Sequence, residues 1–133
     1  MNFSTSPSAA FSGLGAIGQI AITVADLDRA VAFYRDNLGM KLLFQFPGIG
    51  FFDCDGVRLM LSLPEESGER YSSIVYFKVP DIHEAHTALV GRGVAFEGEP
   101  HLLARMPDHD LWMAFFRDPD RNLLALMSEV PRG

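Results

Sequence analysis

From Gln19 to Val24 apolar and polar residues alternate. Ile20, Ile22 and Val24 fall on one face of an extended strand, and Gln19, Ala21 and Thr23 on the other. The period then changes. Asp26 stands where a helix N-cap belongs, and its carboxylate can accept an orphan backbone N–H. Leu27, Ala30, Val31, Tyr34 and Leu38 follow at helical spacing, and Gly39 is placed to stop the helix in a left-handed conformation. Residues 41–46 read as the next strand, and Pro47-Gly48 turns the chain. Residues 51–54 and 57–63 flank Asp55-Gly56, a two-residue hairpin signal. In the second arm Val57, Leu59, Leu61 and Leu63 share one face, while Arg58, Met60 and Ser62 share the other.

The pattern then repeats. Val79-Pro80-Asp81-Ile82-His83-Glu84-Ala85 echoes Val24-Ala25-Asp26-Leu27-Asp28-Arg29-Ala30 at a constant offset of 55 (79 − 24, 85 − 30). Asp81 and Glu84 make a capping-box-like pair. A strand is predicted over residues 72–79 and a helix over 82–90, stopped by Gly91-Arg92-Gly93. Further strands are predicted over 94–97, 101–106, 111–117 and 123–127, with Asp118-Pro119-Asp120-Arg121-Asn122 as a turn cluster. The polar stretch 64–70 is the linker. The expected fold is α+β, with two tandem βαβββ modules, residues 17–63 and 72–130, in one domain spanning 17–130.

Composition narrows the partners. The 133 residues are 48% hydrophobic and 21% charged, with a net charge of −6. An acidic field argues against nucleic acid and against an anionic membrane surface. Cys54 is the single cysteine, so no intrachain disulfide can form and a reducing cytoplasm is expected. No apolar run approaches the ~20 residues of a membrane span. Residues 1–16 lack the basic and apolar regions of a signal peptide and are expected to form a mobile arm, with Phe3 and Phe11 able to dock on a partner subunit.

Three segments together resemble a known family. They are V-A-D-L-D-R-A-V-A-F-Y-R-D-N-L-G-M from Val24, V-P-D-I from Val79, and F-F-R-D-P-D-R-N from Phe115, the last with Arg121 where that family usually has glycine. In order and spacing they are similar to the vicinal oxygen chelate superfamily, which includes glyoxalase I, extradiol dioxygenases and bleomycin-resistance proteins. The resemblance implies sheets curled around a shared cavity, and a homodimer. It also implies four metal-ligand positions, which carried over by motif are Gln19, Met60, Ile74 and Ala125. Gln can serve as an oxygen ligand. Ile and Ala offer no donor, and Met offers only a soft thioether. The expectation is therefore no metal and no cofactor.

Other residues carry possible chemistry. His83 and His86 stand at i, i+3 on the second helix with nothing to complete a metal set, so a solvated face is expected. Glu97, Glu99 and His101, with Asp108 and His109, could form a displaced O/N site, although Pro100 interrupts the strand pattern and a surface hairpin is preferred. The segment from His101 to Trp112 is the candidate ligand-gripping loop. Phe52, Met60, Tyr76, Trp112 and Met127 are candidates to line an apolar cavity, with Arg58 and Lys78 near its rim. Cys54 lies between Asp53 and Asp55, whose carboxylates should raise its pKa, so it is expected to be structural.

The expected function is metal-independent binding of a small apolar or aromatic molecule, sequestered as bleomycin-resistance proteins do. The ligand residues are Gln19, Phe52, Arg58, Met60, Ile74, Tyr76, His101, His109, Trp112, Ala125 and Met127, and no catalytic residue is identified. Two alternatives stay open. One is a glyoxalase-like lyase or dioxygenase with displaced ligands such as Glu99, His101 or His109. The other is a metal-free isomerase or lyase with Tyr76 or His109 as acid or base.

Overall fold

The structure is a computed structural model, and it describes residues 11–65, 68, 70 and 73–132. Most of the expected arm, and part of the expected linker and of the strand predicted from residue 72, lie outside the described residues.

Each module forms one four-stranded sheet with a helix on one face. In the first, β1 (Gln19–Thr23) leads to α1 (Leu27–Ala32), which continues as a π-helical turn (Phe33–Asn37), and then to β2 (Lys41–Phe46), β3 (Ile49–Cys54) and β4 (Val57–Ser62). The order in this sheet, sheet 1, is β1-β4-β3-β2. The second module repeats the plan with β5 (Val75–Lys78), α2 (Ile82–Gly91), β6 (His101–Arg105), β7 (His109–Arg117) and β8 (Leu123–Pro131), ordered β5-β8-β7-β6 in sheet 2. The first strand of each module pairs parallel with the last, and the other pairs are antiparallel.

The local chemistry explains the boundaries. Asp26 accepts the Arg29 N–H, and Asp81 accepts the N–H groups of His83 and Glu84, so both predicted caps form. Asp55 and Gly56 both have positive φ, as a tight hairpin with matching twist requires. Four expectations change. The strand predicted over 94–97 is only a single bridge, Phe96 to Phe116, because the chain bends at 97–98 before it can continue a ladder. The first helix ends in a wider π turn instead of a uniform α-helix. β5 is shorter than predicted and begins at Val75, leaving Ile74 just before it. β7 and β8 are both longer than predicted, because they pair with each other from His109–Pro131 to Arg117–Leu123.

The core lies on the helix side of both sheets. Ile22, Leu59 and Leu61 from sheet 1, with Val24 just after β1, join Val75, Phe116, Leu124 and Leu126 from sheet 2 in one cluster around Tyr34. Tyr34 is fully buried and its hydroxyl donates to Asp118 Oδ2 at 2.8 Å. Burial, and then the Asp118 carboxylate, raise its pKa, so it stays a neutral donor. The 118–122 turn is the clasp between the modules. Asp118 Oδ1 accepts the backbone N–H groups of Asp120 and Asn122, and Asn122 Nδ2 donates to Thr23 O. Asp120 Oδ1 accepts from Ala25 N and from Arg29. A polar sequence that reads as a turn is therefore also the chain's main polar joint.

Candidate functional site

Strand alternation leaves the other face of each sheet uncovered by helix. On sheet 1 the pairing builds two rows across that face: Gln19, Arg58, Asp53 and Lys41, and beside it Ala21, Met60, Phe51 and Phe44. Phe46 stands at the edge of the same face. Phe44 and Phe46 remain 41% and 55% exposed, and Phe44 packs on both Phe46 and Phe51. The Arg58 guanidinium lies 5.6 Å from the Phe51 ring centre, a cation–π contact. Gln19 Nε2 approaches Met60 Sδ at 3.7 Å.

The open face of sheet 2 is built the same way. Tyr76, Ala125 and Phe115 form one row, and Lys78, Met127, Met113 and His101 the next. Tyr76 is 45% exposed and meets Phe115 edge-on, while the His101 ring stacks over Phe115. A hollow of about 390 Å³ at the edge of this face is lined by Glu97, Glu99, His101, Phe115 and Leu123. Further along runs a chain of polar contacts. His109 Nδ1 contacts Asp108 Oδ1 at 2.7 Å, Nε2 lies 3.8 Å from Glu129, and Glu129 pairs with Lys78 at 2.8 Å. The His109 hydrogen bond holds Asp108 below the usual carboxylate range, and the Lys78 hydrogen bond does the same to Glu129.

Nine of the eleven residues expected to meet a ligand share these two open faces or their ends: Gln19, Arg58, Met60, Ile74, Tyr76, His101, His109, Ala125 and Met127. The structure brings them together as two groups, one per sheet. Phe52 and Trp112 do not join them. Phe52 is fully buried on the helix side against Tyr34, and Trp112 packs on the helix-side core with its ring 5.2 Å from that of His83. In place of these two, the open faces carry Phe51 and Phe115. The Asp55-Gly56 hairpin held the signal for the first: a two-residue turn pairs Phe52 with Leu59 and Phe51 with Met60, which assigns their faces. His83 and His86 turn to aromatic partners, Trp112 and Phe96. Cys54 is half-buried at the end of β3. Burial first, then Asp53 and Asp55, push its pKa up, which suits a structural thiol.

The four positions that the resemblance implies for metal ligands divide in the same way. Gln19 and Met60 touch on sheet 1, whereas Ala125 belongs to sheet 2 and Ile74 lies just before β5, and these two offer only hydrocarbon. One amide oxygen and one thioether do not fit a hard or borderline divalent cation. Glu99, His101 and His109 do not form a replacement: His101 Nδ1 lies by the Glu99 carbonyl, and His109 is engaged by Asp108. Among the described residues no group of three or more His, Cys, Asp or Glu side chains is placed to hold a metal.

Two open sheet faces on a tandem βαβββ repeat define the architecture, and comparison with known proteins identifies its kind. The chain belongs to the glyoxalase/bleomycin resistance protein/dioxygenase superfamily, whose sequence profile matches residues 16–126. It is 30% identical over 126 residues to the uncharacterized protein YraH of Bacillus subtilis, covering 81% of this chain and 94% of that one. Among solved structures it is similar to a lactoylglutathione lyase from Agrobacterium tumefaciens, with 27% identity, a TM-score of 0.72, and coverage of 86% and 94% of the two chains. It also shares the fold of TnmS3, an antibiotic-binding protein from Streptomyces sp. CB03234, at 22% identity and a TM-score of 0.70, covering 90% and 99%. No helix among the described residues is long and apolar enough to cross a membrane.

Proposed function

We propose that this protein is a metal-independent binding member of the superfamily that sequesters a small apolar or aromatic molecule in the cytoplasm. The observation that carries the reading is the chemistry of the open faces. Where a metal-using relative needs hard donors, this chain has Met60, Ile74 and Ala125, and around them stand Phe44, Phe51, Tyr76 and Phe115. Such a lining favours dispersion and ring contacts with a ligand, while Gln19, Arg58 and His101 supply the few polar groups that orient it. That TnmS3, with the same fold, is an antibiotic-binding protein supports the reading at the level of the scaffold. A homodimer completes the site: the open face of sheet 1 in one subunit covers that of sheet 2 in the other, burying Phe44, Phe46 and Tyr76 around the ligand. The partner is thus a second copy of the chain and a small molecule, with no nucleic acid or membrane.

A second reading rests on His109. Its contact with Asp108 and its approach to Glu129 on an open face suit a metal-free isomerase or lyase with His109 as acid or base.

The test is a thermal-shift screen of the metal-stripped protein against cationic antibiotics, aromatic acids and glutathione thioethers, alongside Ni, Mn, Fe and Zn. A ligand that binds only the native state raises its melting temperature. Stabilisation by an organic compound, reduced in Tyr76→Ala and Met60→Ala and indifferent to added metal, is expected. Stabilisation by a divalent metal would overturn the reading. Turnover of a bound compound that is lost in His109→Gln would favour the second. Sedimentation of a monomer at concentrations where ligand binds would remove the dimer.

A further inference from the structure

The helix side of sheet 2 holds a separate cleft of about 280 Å³ between the modules. Its floor is Phe77, Phe116 and Leu126, its roof is Ala85, Ala88 and Leu89 of α2, and Leu38 and Met40 close it from the first module. The two modules carry different side chains here. At an offset of 55, Ala88 and Leu89 correspond to Phe33 and Tyr34. In the first module those positions carry two rings in edge contact, with Tyr34 fully buried. In the second module a methyl and a smaller aliphatic group stand there, beside the cleft.

Arg92 stands at the mouth of this apolar cleft. Its backbone carbonyl accepts from Asn37 Nδ2, which fixes the chain there. Its guanidinium reaches across to Gly39, where Nη1 would lie 2.8 Å from any Cβ. Gly39 already needs its positive φ of 73°, so the turn serves both the backbone and the clearance of this arginine. Among the described residues the guanidinium has no hydrogen-bond or ion-pair partner, although the chain carries 17 acidic residues against 11 basic ones. A carboxylate near a helix C-terminus is ordinarily repelled by the helix carbonyls. Here a cation stands between that end and an incoming anion.

We infer that this cleft is a second binding site, for a small monocarboxylate with an apolar body. The hydrocarbon lies under α2 against Phe77, Phe116 and Leu126, and the carboxylate pairs with Arg92. Guanidinium and carboxylate match as two parallel N–H···O bonds, which selects a carboxylate over an alcohol of equal length. The site is independent of the open-face site. Phe77 and Leu126 face the cleft while their neighbours Tyr76 and Ala125 face the other way, so sheet 2 is the wall between the two.

The probes are decanoate and decanol, titrated into protein carrying isotope-labelled alanine and leucine methyl groups. Saturable shifts of the Ala85, Ala88, Leu89 and Leu126 methyls by decanoate are expected. Arg92→Ala should weaken decanoate by about tenfold, as loss of a charged hydrogen-bond partner does, and leave decanol unchanged. Ala88→Phe, which restores the side chain of the first module, should abolish both, and Tyr76→Ala should alter neither. No saturable shift in the parent protein, or decanoate binding indifferent to Arg92→Ala, would overturn the inference. Shifts confined to methyls of the open face, such as Ala125, would do the same, and both readings use the parent protein or a surface substitution that leaves the fold intact.

Discussion

The two helices start alike and finish differently. Both are capped by aspartate, both place a large aliphatic residue next (Leu27 and Ile82), and both carry alanine three positions later. From there they part. α1 and its π turn bury Leu27, Ala30, Val31 and Tyr34, whereas α2 buries only Ile82 to the same degree. The equivalent of Val31 is His86, and the equivalents of Phe33 and Tyr34 are Ala88 and Leu89. A duplicated unit thus contributes one helix with a ring buried at the joint and one that borders an apolar cleft. Internal repetition fixes the backbone plan, and the side chains facing the joint differ between the copies.

The largest expected effect comes from making the first helix resemble the second. Tyr34→Leu removes a buried ring and leaves Asp118 Oδ2 without its hydroxyl donor. A loss of about 3 kcal/mol in chemical denaturation is expected. Tyr34→Phe, which keeps the ring, should cost about 1 kcal/mol. A tolerated Tyr34→Leu would mean that the clasp at 118–122 holds the modules without it.

The caps test the similarity of the helices. Asp26→Ala and Asp81→Ala should each cost about 1 kcal/mol. The second should cost slightly more, since Asp81 accepts two backbone N–H groups and Asp26 one. Neither should change ligand affinity on the open faces. Ala88→Phe tests the difference instead. Filling the cleft should stabilise the ligand-free protein by about 0.5 kcal/mol, read as a rise in melting temperature. A destabilised variant would show that α2 sits too close to sheet 2 for the ring.

Much of this was legible in the residues. Period-2 and helical patterns, two Asp caps and the 55-residue offset suffice for the tandem modules, because each depends on local backbone chemistry. The faces of Gln19, Met60, Tyr76 and Ala125 followed from alternation within one strand. Three things did not follow. Phe52 and Trp112 lie in strands where apolar residues stand side by side, so alternation alone does not separate core from open face. The bulges after Leu42 and Leu102 shift register in β2 and β6, and local sequence does not mark them. The double use of the 118–122 turn depends on Tyr34, which is 84 residues from its partner Asp118.

The smallest effect concerns one position that the repeat uses twice. Thr23 is buried at the module joint, whereas its equivalent, Lys78, is exposed on sheet 2 and pairs with Glu129. That pair holds the Glu129 carboxyl below its ordinary value of 4.5, chiefly through the Lys78 hydrogen bond. A carboxyl lowered in the folded state contributes stability above its unfolded value. The contribution is lost as pH falls through the folded one. The protein should therefore lose this increment only below pH 4.5, and Lys78→Met should lack it at neutral pH. The two melting curves should differ slightly at pH 7 and converge in acid. The gap should also shrink with added salt, since both groups are solvated. A gap that persists unchanged in acid would assign the effect of Lys78 to the packing of its methylene stem instead of its charge.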